Sequence, residues 1–321
     1  MGSARVVLTR RMPSVAAELL KEAGYTTEIH DHDDPPDREE FLRLIHGAAG
    51  LITMLSDRID DEALKAAGPT LKVVANYAVG YDNVDLQACQ QRGIRVTNTP
   101  GVLTDATADL AWTLILATAR HVVPGDQMVR NGRWRGWSPM QLLGLQLSGA
   151  TLGILGAGRI GSAVARRSLG FDMRVLYTDS NANLPLEEQV DATRVDLERL
   201  LAESDVLSLH IPMAPEHHHL IGAAQLQTMK PTAILINTAR GQIVDEAALV
   251  EALRDGQIAG AGFDVYEHEP RLAPGLAELP NVVLLPHLGS ATTSTRQQMA
   301  RMATENVIAV LAGRSPENPV I

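Results

Sequence analysis

Short apolar runs rich in Val, Ile and Leu alternate with amphipathic stretches along the whole chain. ARVVLT, SVAAELLKEAG and YTTEIH form a first strand–helix–strand unit, which the acidic, proline-containing loop DHDDPPD divides from REEFLRLIHG. AGLITML, DEALKAAG, LKVVANY, VDLQACQQRG and IRVTN continue the alternation. Apolar runs of strand length between helical patterns predict a parallel sheet covered on both faces. A longer helical pattern extends from about Asp105 to Asn131, and Pro124 is expected to kink or interrupt it. The tryptophan-containing segment RWRGWSPMQLLGLQLSG then reads as irregular. Strand patterns resume at Thr151–Leu155, MRVLYTD, DVLSLHI, AILINT, IAGAGFDV and NVVLLPH, and TTSTRQQMARMATENVIAVLAG reads as an amphipathic helix. The expected fold class is α/β, with two domains in 321 residues. One comprises residues 1–100 plus 290–321, because the last helix is expected to return to it, and the other residues 101–289.

The richest stretch is LGILGAGRIG. The apolar run Thr151–Leu155 meets Gly156-Ala157-Gly158-Arg159-Ile160-Gly161, and a helical pattern follows. In a strand–turn–helix setting, G-x-G-x-x-G points to dinucleotide binding. The first glycine permits the tight turn, the second lets a pyrophosphate approach the backbone, and the third lets helix and strand pack closely. The helix N-terminus then offers unpaired N–H groups to the phosphates. Asp179, at the end of the next strand pattern, is placed to accept hydrogen bonds from an adenosine ribose and to repel a 2′-phosphate. It favours NAD over NADP. The alternative is a structural βαβ turn without ligand.

Composition narrows the function classes. A net charge of −10 without a long basic run argues against nucleic acid and against an anionic membrane surface as partners. The apolar stretch Leu110–Ala119 is too short to span a bilayer. No secretory signal is expected, because ARVVLT is too short for its apolar core, and Met1-Gly2 lacks the Ser or Thr of an acylation signal at position 6, which is Val. The lone Cys89 excludes an intrachain disulfide, fits a cytoplasmic location and reads as packing rather than a nucleophile.

Three residues beyond the glycine loop suit hydride chemistry. Arg240 follows the strand pattern AILINT, where α/β sheets bind ligands, and its planar fork matches a carboxylate; a structural salt bridge is the alternative. His287 ends NVVLLPH, where an imidazole can give a proton to a carbonyl oxygen as hydride arrives, although a lone histidine there is often structural. Glu269, in YEHEP, would orient that imidazole and favour its charged form if the two meet. The triplet His217-His218-His219 is not expected to bind metal, because consecutive residues share no helix or strand face.

The ordered set GAGRIG, Asp179, INTARG, DVYEHEP and PHLGSAT resembles the D-2-hydroxyacid dehydrogenase family across essentially the whole chain. The resemblance implies two Rossmann/flavodoxin-like domains with parallel sheets and an active site in the interdomain cleft. It implies reversible hydride transfer between NAD(H) and a 2-keto or D-2-hydroxy acid. Arg240 would bind the substrate carboxylate, His287 would act as general acid and base, and Glu269 would hold His287. Arg159 and Ile160 would meet the pyrophosphate, and Thr104 the phosphate or nicotinamide side. Thr238, Ala239 and Asp264, with Gly289 and Ser290 nearby, would meet the nicotinamide half, and His210 and Pro212 the adenine side. No step requires a metal.

The N-terminal half carries the substrate signal. By the same resemblance, Ala78-Val79-Gly80 would offer backbone N–H groups to the carboxylate, and Leu55 would be an apolar wall. TNTPGVLTDATADLAW and GWSPMQLLG resemble the glyoxylate/hydroxypyruvate reductase branch, in which a tryptophan from the second subunit of a homodimer can close the pocket. Trp137 and Trp134 are the candidates, with interface packing as the alternative. Members of the branch that use NADP often carry a small residue followed by Arg where this chain has Asp179-Ser180-Asn181. Reduction of glyoxylate or hydroxypyruvate with NADH is the favoured expectation. D-lactate, a bulkier D-2-hydroxy acid and phosphite are alternative substrates, and an NAD(H)-sensing corepressor is the alternative of another class.

Overall fold

The central apolar runs become strands whose side chains divide between two helical layers. The computed structural model describes residues 4–321, so Met1 and Gly2, where the acylation reading falls, lie outside the described residues. The chain forms two compact units, one containing the residues up to Leu103 together with Ser290–Ile321, the other Thr104–Gly289.

The first unit runs β1 (Arg5–Leu8), α1 (Val15–Glu22), β2 (Thr26–Ile29), α2 (Arg38–Ile45), β3 (Gly50–Thr53), α3 (Asp61–Ala67), β4 (Val73–Asn76), α4 (Leu86–Gln91) and β5 (Arg95–Thr97). Its strands are parallel in the order β2-β1-β3-β4-β5, a flavodoxin-like arrangement. The strand period of two separates the core: Val7 packs in one cluster with Phe41, Leu51 and Val74, whereas Val6 and Leu8 pack in the other with Leu20 and Ile52. Asp37, Asp60 and Asp85 cap α2, α3 and α4 by accepting from main-chain N–H groups of the first turn. Cys89 is buried on α4, and burial pushes its thiol up to about 11, as befits a packing residue.

The second unit opens with α5 (Thr104–Ala119) and α6 (Val122–Arg130). The break expected at Pro124 falls instead at His121, whose φ is 50°. Pro124 lies in the first turn of α6, where its missing N–H has no helical partner to lose. The segment 133–149 is irregular, as its composition suggests. Then follow β6 (Thr151–Leu155), α7 (Arg159–Arg167), β7 (Arg174–Thr178), α8 (Leu184–Val190), β8 (Thr193–Arg194), α9 (Leu197–Glu203), β9 (Val206–Leu209), α10 (Ala223–Thr228), β10 (Ile234–Asn237), α11 (Glu246–Arg254), β11 (Gly260–Phe263) and β12 (Val282–Leu284). The parallel order β12-β11-β10-β9-β6-β7-β8 is that of a Rossmann fold carrying an extra strand, with its switch point between β6 and β9. Leu152, Ile154, Ile234 and Ile236 face one core layer and Leu155, Leu207 and Leu235 the other. Trp112 fixes α5 on α7, donating from Nε1 to Val164 O at 2.9 Å and stacking on Phe171 at 4.6 Å. Finally α12 (Thr293–Leu311) packs on α1, β3 and β4 of the first unit. No helix among the described residues is long and apolar enough to cross a membrane.

Candidate active site

In the second unit the candidate residues collect at the C-terminal edge of the sheet, because each follows a parallel strand. The glycine loop follows β6, Asp179 follows β7, His210 follows β9, and Arg240, Asp264 and His287 follow the adjacent strands β10, β11 and β12. This is the edge at which open α/β sheets bind ligands.

The three glycines have different reasons to be glycine. Gly156 has φ +95°, and a Cβ there would lie 2.8 Å from the His210 backbone. A Cβ on Gly161 would lie 2.0 Å from Gly156 O, so α7 can meet β6 only without one. A Cβ on Gly158 would meet nothing within 4 Å, which leaves open space beside the α7 N-terminus. Arg159 and Ile160 form the first turn of that helix. Asp179 Oδ2 accepts from Ala157 N at 2.8 Å, tying the second strand's carboxylate to the loop. Arg194 Nη2 donates to Asp179 O and Ser180 O, both at 2.8 Å. Thr238 Oγ1 is buried without a hydrogen-bond partner among the described residues. An open cradle at a helix N-terminus, a carboxylate tied to it from the end of the second strand and an orphaned hydroxyl fit a dinucleotide.

His287 and Glu269 do meet. Nδ1 of His287 lies 3.0 Å from Oε2 of Glu269, and the side chains remain 36% and 38% exposed. Burial pushes the Glu269 carboxyl up, but the His287 hydrogen bond and charge, the Tyr266 N–H and the Arg240 charge outweigh it and hold the group below the usual glutamate range. Tyr266 N donates to Glu269 Oε1 at 3.0 Å. His287 itself has φ 55°, a left-handed backbone uncommon outside glycine. Asp264 maintains it. Its carbonyl accepts from His287 N at 3.0 Å, and its two carboxylate oxygens accept from Leu288 N at 2.6 Å and Gly289 N at 2.8 Å. Sequence reasoning gave Asp264 to the cofactor and missed this loop-holding role. Gly289 O in turn accepts from Thr107 Oγ1, and Thr104 begins α5 one turn earlier.

Arg240 is half-buried; its Nη1 donates to Ala239 O at 2.7 Å, and Asn237 Nδ2 holds its carbonyl at 2.9 Å. His210 follows a different logic. Burial alone pushes its imidazole down to about 3, and Ser208 Oγ lies 2.8 Å from its Nε2. It stays neutral where an exposed histidine titrates, so in the unfolded chain it takes up a proton near 6.5 that the folded protein refuses until about 3. Stability is therefore expected to fall as pH drops from 6.5 towards 3. Thermal melts across that range should fall less steeply for His210→Asn than for wild type; equal slopes would contradict this assignment.

The first unit presents its own candidates at the ends of β3 and β4. Leu55 is half-buried, and Ala78-Val79-Gly80 forms a turn whose carbonyls are held by Thr99 N, Asn98 Nδ2 and Asn76 Nδ2. The N–H groups of Val79 and Gly80 donate to no other described residue. Asn76 also bonds Asn83, and Asp57 bonds Met54 N, so a buried polar network sets both turns. The sequence did carry a signal for it: polar residues end the apolar runs GLIT and VVAN, as Asn237 ends ILIN. Ser290 begins the return to this unit, and its carbonyl accepts from Arg296 Nε. Trp137 and Trp134, in the irregular segment of the second unit, are 84% and 53% exposed.

The metal expectation for the histidine triplet rested on neighbouring side chains diverging. His219 has φ 52°, which turns the chain so that His218, His219 and Glu267 bring ligand atoms within 4.8 Å of one another.

Residues 112–289 match the family model for the NAD-binding domain of D-isomer specific 2-hydroxyacid dehydrogenases. A glyoxylate reductase of Thermococcus litoralis is 48% identical, over 98% of this chain and 96% of its own length. Among solved structures, the TT0316 protein of Thermus thermophilus is 51% identical with a TM-score of 0.92, over 99% of this chain and all of its own. An NADPH-dependent glyoxylate/hydroxypyruvate reductase of Sinorhizobium meliloti, solved with NADP and malonate, is 35% identical with a TM-score of 0.86, over 99% and 97% of the two chains. The chain belongs to the D-isomer specific 2-hydroxyacid dehydrogenase family and is an enzyme built to work with a nicotinamide cofactor.

Proposed function

We propose that this enzyme reduces small 2-keto acids of the glyoxylate and hydroxypyruvate class to the 2-hydroxy acids, with NADH as its preferred cofactor. The observation that carries the reading is the His287–Glu269 pair at 3.0 Å, joined to Arg240 through its charge on Glu269. A reduced nicotinamide bound here would supply the hydride for the keto carbon. Arg240 would grip the substrate carboxylate by its planar fork and polarise the carbonyl, and the family resemblance gives the Val79 and Gly80 N–H groups a carboxylate-binding role of their own. His287, with Nδ1–H directed to Glu269, donates from Nε2 to the carbonyl oxygen, and Glu269 fixes the orientation of the ring through that contact. Leu55 supplies an apolar wall. The reading accords with the named activities of the Thermococcus and Sinorhizobium relatives and with the malonate, a small carboxylate, bound to the latter.

For the cofactor, the α7 N-terminus with Gly158, Arg159 and Ile160 would hold the pyrophosphate. Thr238, Ala239 and Thr104 would meet the nicotinamide side, and His210 and Pro212 would line the adenine side. Asp179 favours NAD(H), since its carboxylate would face a 2′-phosphate and the nearby Arg194 is engaged by two carbonyls. The Sinorhizobium relative uses NADPH, so this point needs its own test. Initial rates with NADH and NADPH at matched concentrations, with glyoxylate, hydroxypyruvate and pyruvate in parallel, should be fastest with NADH and one of the first two. Faster turnover with NADPH would remove the role of Asp179, and turnover of none of the three would redirect the search to phosphite and larger keto acids.

The glycine loop gives a sharper expectation. Gly158→Ala has room for its methyl, so stability should change by about 0.5 kcal/mol or less while the KM for NADH rises by about tenfold. Gly161→Ala meets main chain and should instead cost about 1–3 kcal/mol of stability. Denaturant melts and NADH titrations separate the two; a Gly158→Ala enzyme with normal KM would contradict the cradle. We also propose a homodimer, formed through the exposed apolar residues Val122, Val129, Trp137, Met140 and Leu143.

A further inference from the structure

We propose that His218, His219 and Glu267 form a binding site for a borderline divalent transition-metal ion, zinc above all, where the histidine turn meets the loops that carry Arg240 and Glu269. Three chain segments meet there. The turn after Pro215–His217 supplies the two histidines, and their rings stack with centroids 4.0 Å apart. The loop after β10 holds that turn, since Gln242 O accepts from His219 N at 2.9 Å. The loop after β11 supplies Glu267, whose carbonyl accepts from Gln242 Nε2 at 3.0 Å.

The donor atoms are close to ligand spacing. Two ligands of one tetrahedral zinc ion, at bond lengths of about 2.0–2.1 Å, lie about 3.4 Å apart. His219 Nε2 and Glu267 Oε1 are hydrogen-bonded at 2.9 Å, a contact that a bound ion would replace by moving the two atoms a few tenths of an ångström apart, and all three ligand atoms lie within 4.8 Å. His218 is exposed and closes the remaining distance by turning about its side-chain bonds. His268 Nε2, 3.8 Å from Glu267 Oε1 on a 70% exposed side chain, or a water completes the shell. The left-handed backbone of His219 is what allows adjacent residues to converge, and backbone of this kind concentrates where a ligand is held. Two imidazoles and one carboxylate select zinc or nickel over magnesium or calcium, which take all-oxygen shells.

Occupancy ties the histidine turn to the two loops that carry Arg240 and Glu269. Those loops already touch closely: a Cβ on Gly241 would lie 1.8 Å from Tyr266 C. The ion therefore raises Tm by mass action on the folded state and has no part in hydride transfer.

The test is calorimetric titration of the chelator-treated full-length enzyme with zinc chloride in excess magnesium, paired with thermal melts. The wild type should take up one zinc ion with a rise in Tm. His218→Ala, at an exposed position, and Glu267→Gln should each weaken uptake by more than about tenfold, and His287→Asn should leave it unchanged. Should Glu267→Gln fail to fold, His218→Ala decides alone. No uptake by the wild type, equal uptake by His218→Ala, or loss confined to His287→Asn would each overturn the proposal, the last by moving the ion to the acid–base pair.

Discussion

Replacing His287 with asparagine is expected to lower kcat for keto-acid reduction by about 10²- to 10⁴-fold, the contribution of a positioned proton donor. NADH affinity and Tm should stay close to wild type. Asparagine is the informative choice because position 287 has φ 55°, a conformation asparagine tolerates better than alanine does. The loop would keep its Asp264 anchor, whose two oxygens hold Leu288 and Gly289 N–H rather than the imidazole. Only the proton donor is removed, so the loss should fall on kcat and not on cofactor binding. A variant that turns over within a few-fold of wild type would take the acid–base role from His287 and leave its contact with Glu269 as a surface ion pair.

The second large effect is expected at Arg240. Arg240→Ala should lower kcat/KM for the keto acid by the equivalent of about 2–5 kcal/mol, the cost of removing one partner of a hydrogen-bonded charge pair. Both kcat and KM should suffer, since the guanidinium binds the carboxylate and polarises the carbonyl beside it. Arg240→Lys should recover little, because an ammonium cannot reproduce the planar fork. NADH titration of the same variants separates a substrate role from a collapsed site: affinity for NADH should hold. Loss of NADH binding in parallel with activity would assign Arg240 to the architecture of the β10 loop, where it already donates to Ala239 O.

Much of this was legible in the sequence because parallel sheets write themselves plainly. The segments Val6–Leu8 and Ile234–Ile236 are buried on both sides, so they are apolar throughout and stand out from the helices between them. The glycine loop was legible for a related reason: Gly156 and Gly161 are fixed by backbone collisions, which only glycine avoids. The break between α5 and α6 was not, because it depends on a positive φ at His121 rather than on Pro124. The same cause hid the convergence of His218 and His219, since a single left-handed residue reverses the rule that neighbours diverge. The anchoring by Asp264 was hidden because a polar residue ending a strand signals an edge without naming its partner. The meeting of Glu269 with His287 depends on how two loops, 18 residues apart in sequence, fold back on one edge.

The most direct measurement is product analysis after incubation with glyoxylate and NADH deuterated at the transferred position. The account predicts glycolate carrying one deuterium on its hydroxyl-bearing carbon, formed in step with NAD+. Glycolate without deuterium, or NADH consumed with no glycolate formed, would contradict hydride transfer from the cofactor to the keto carbon.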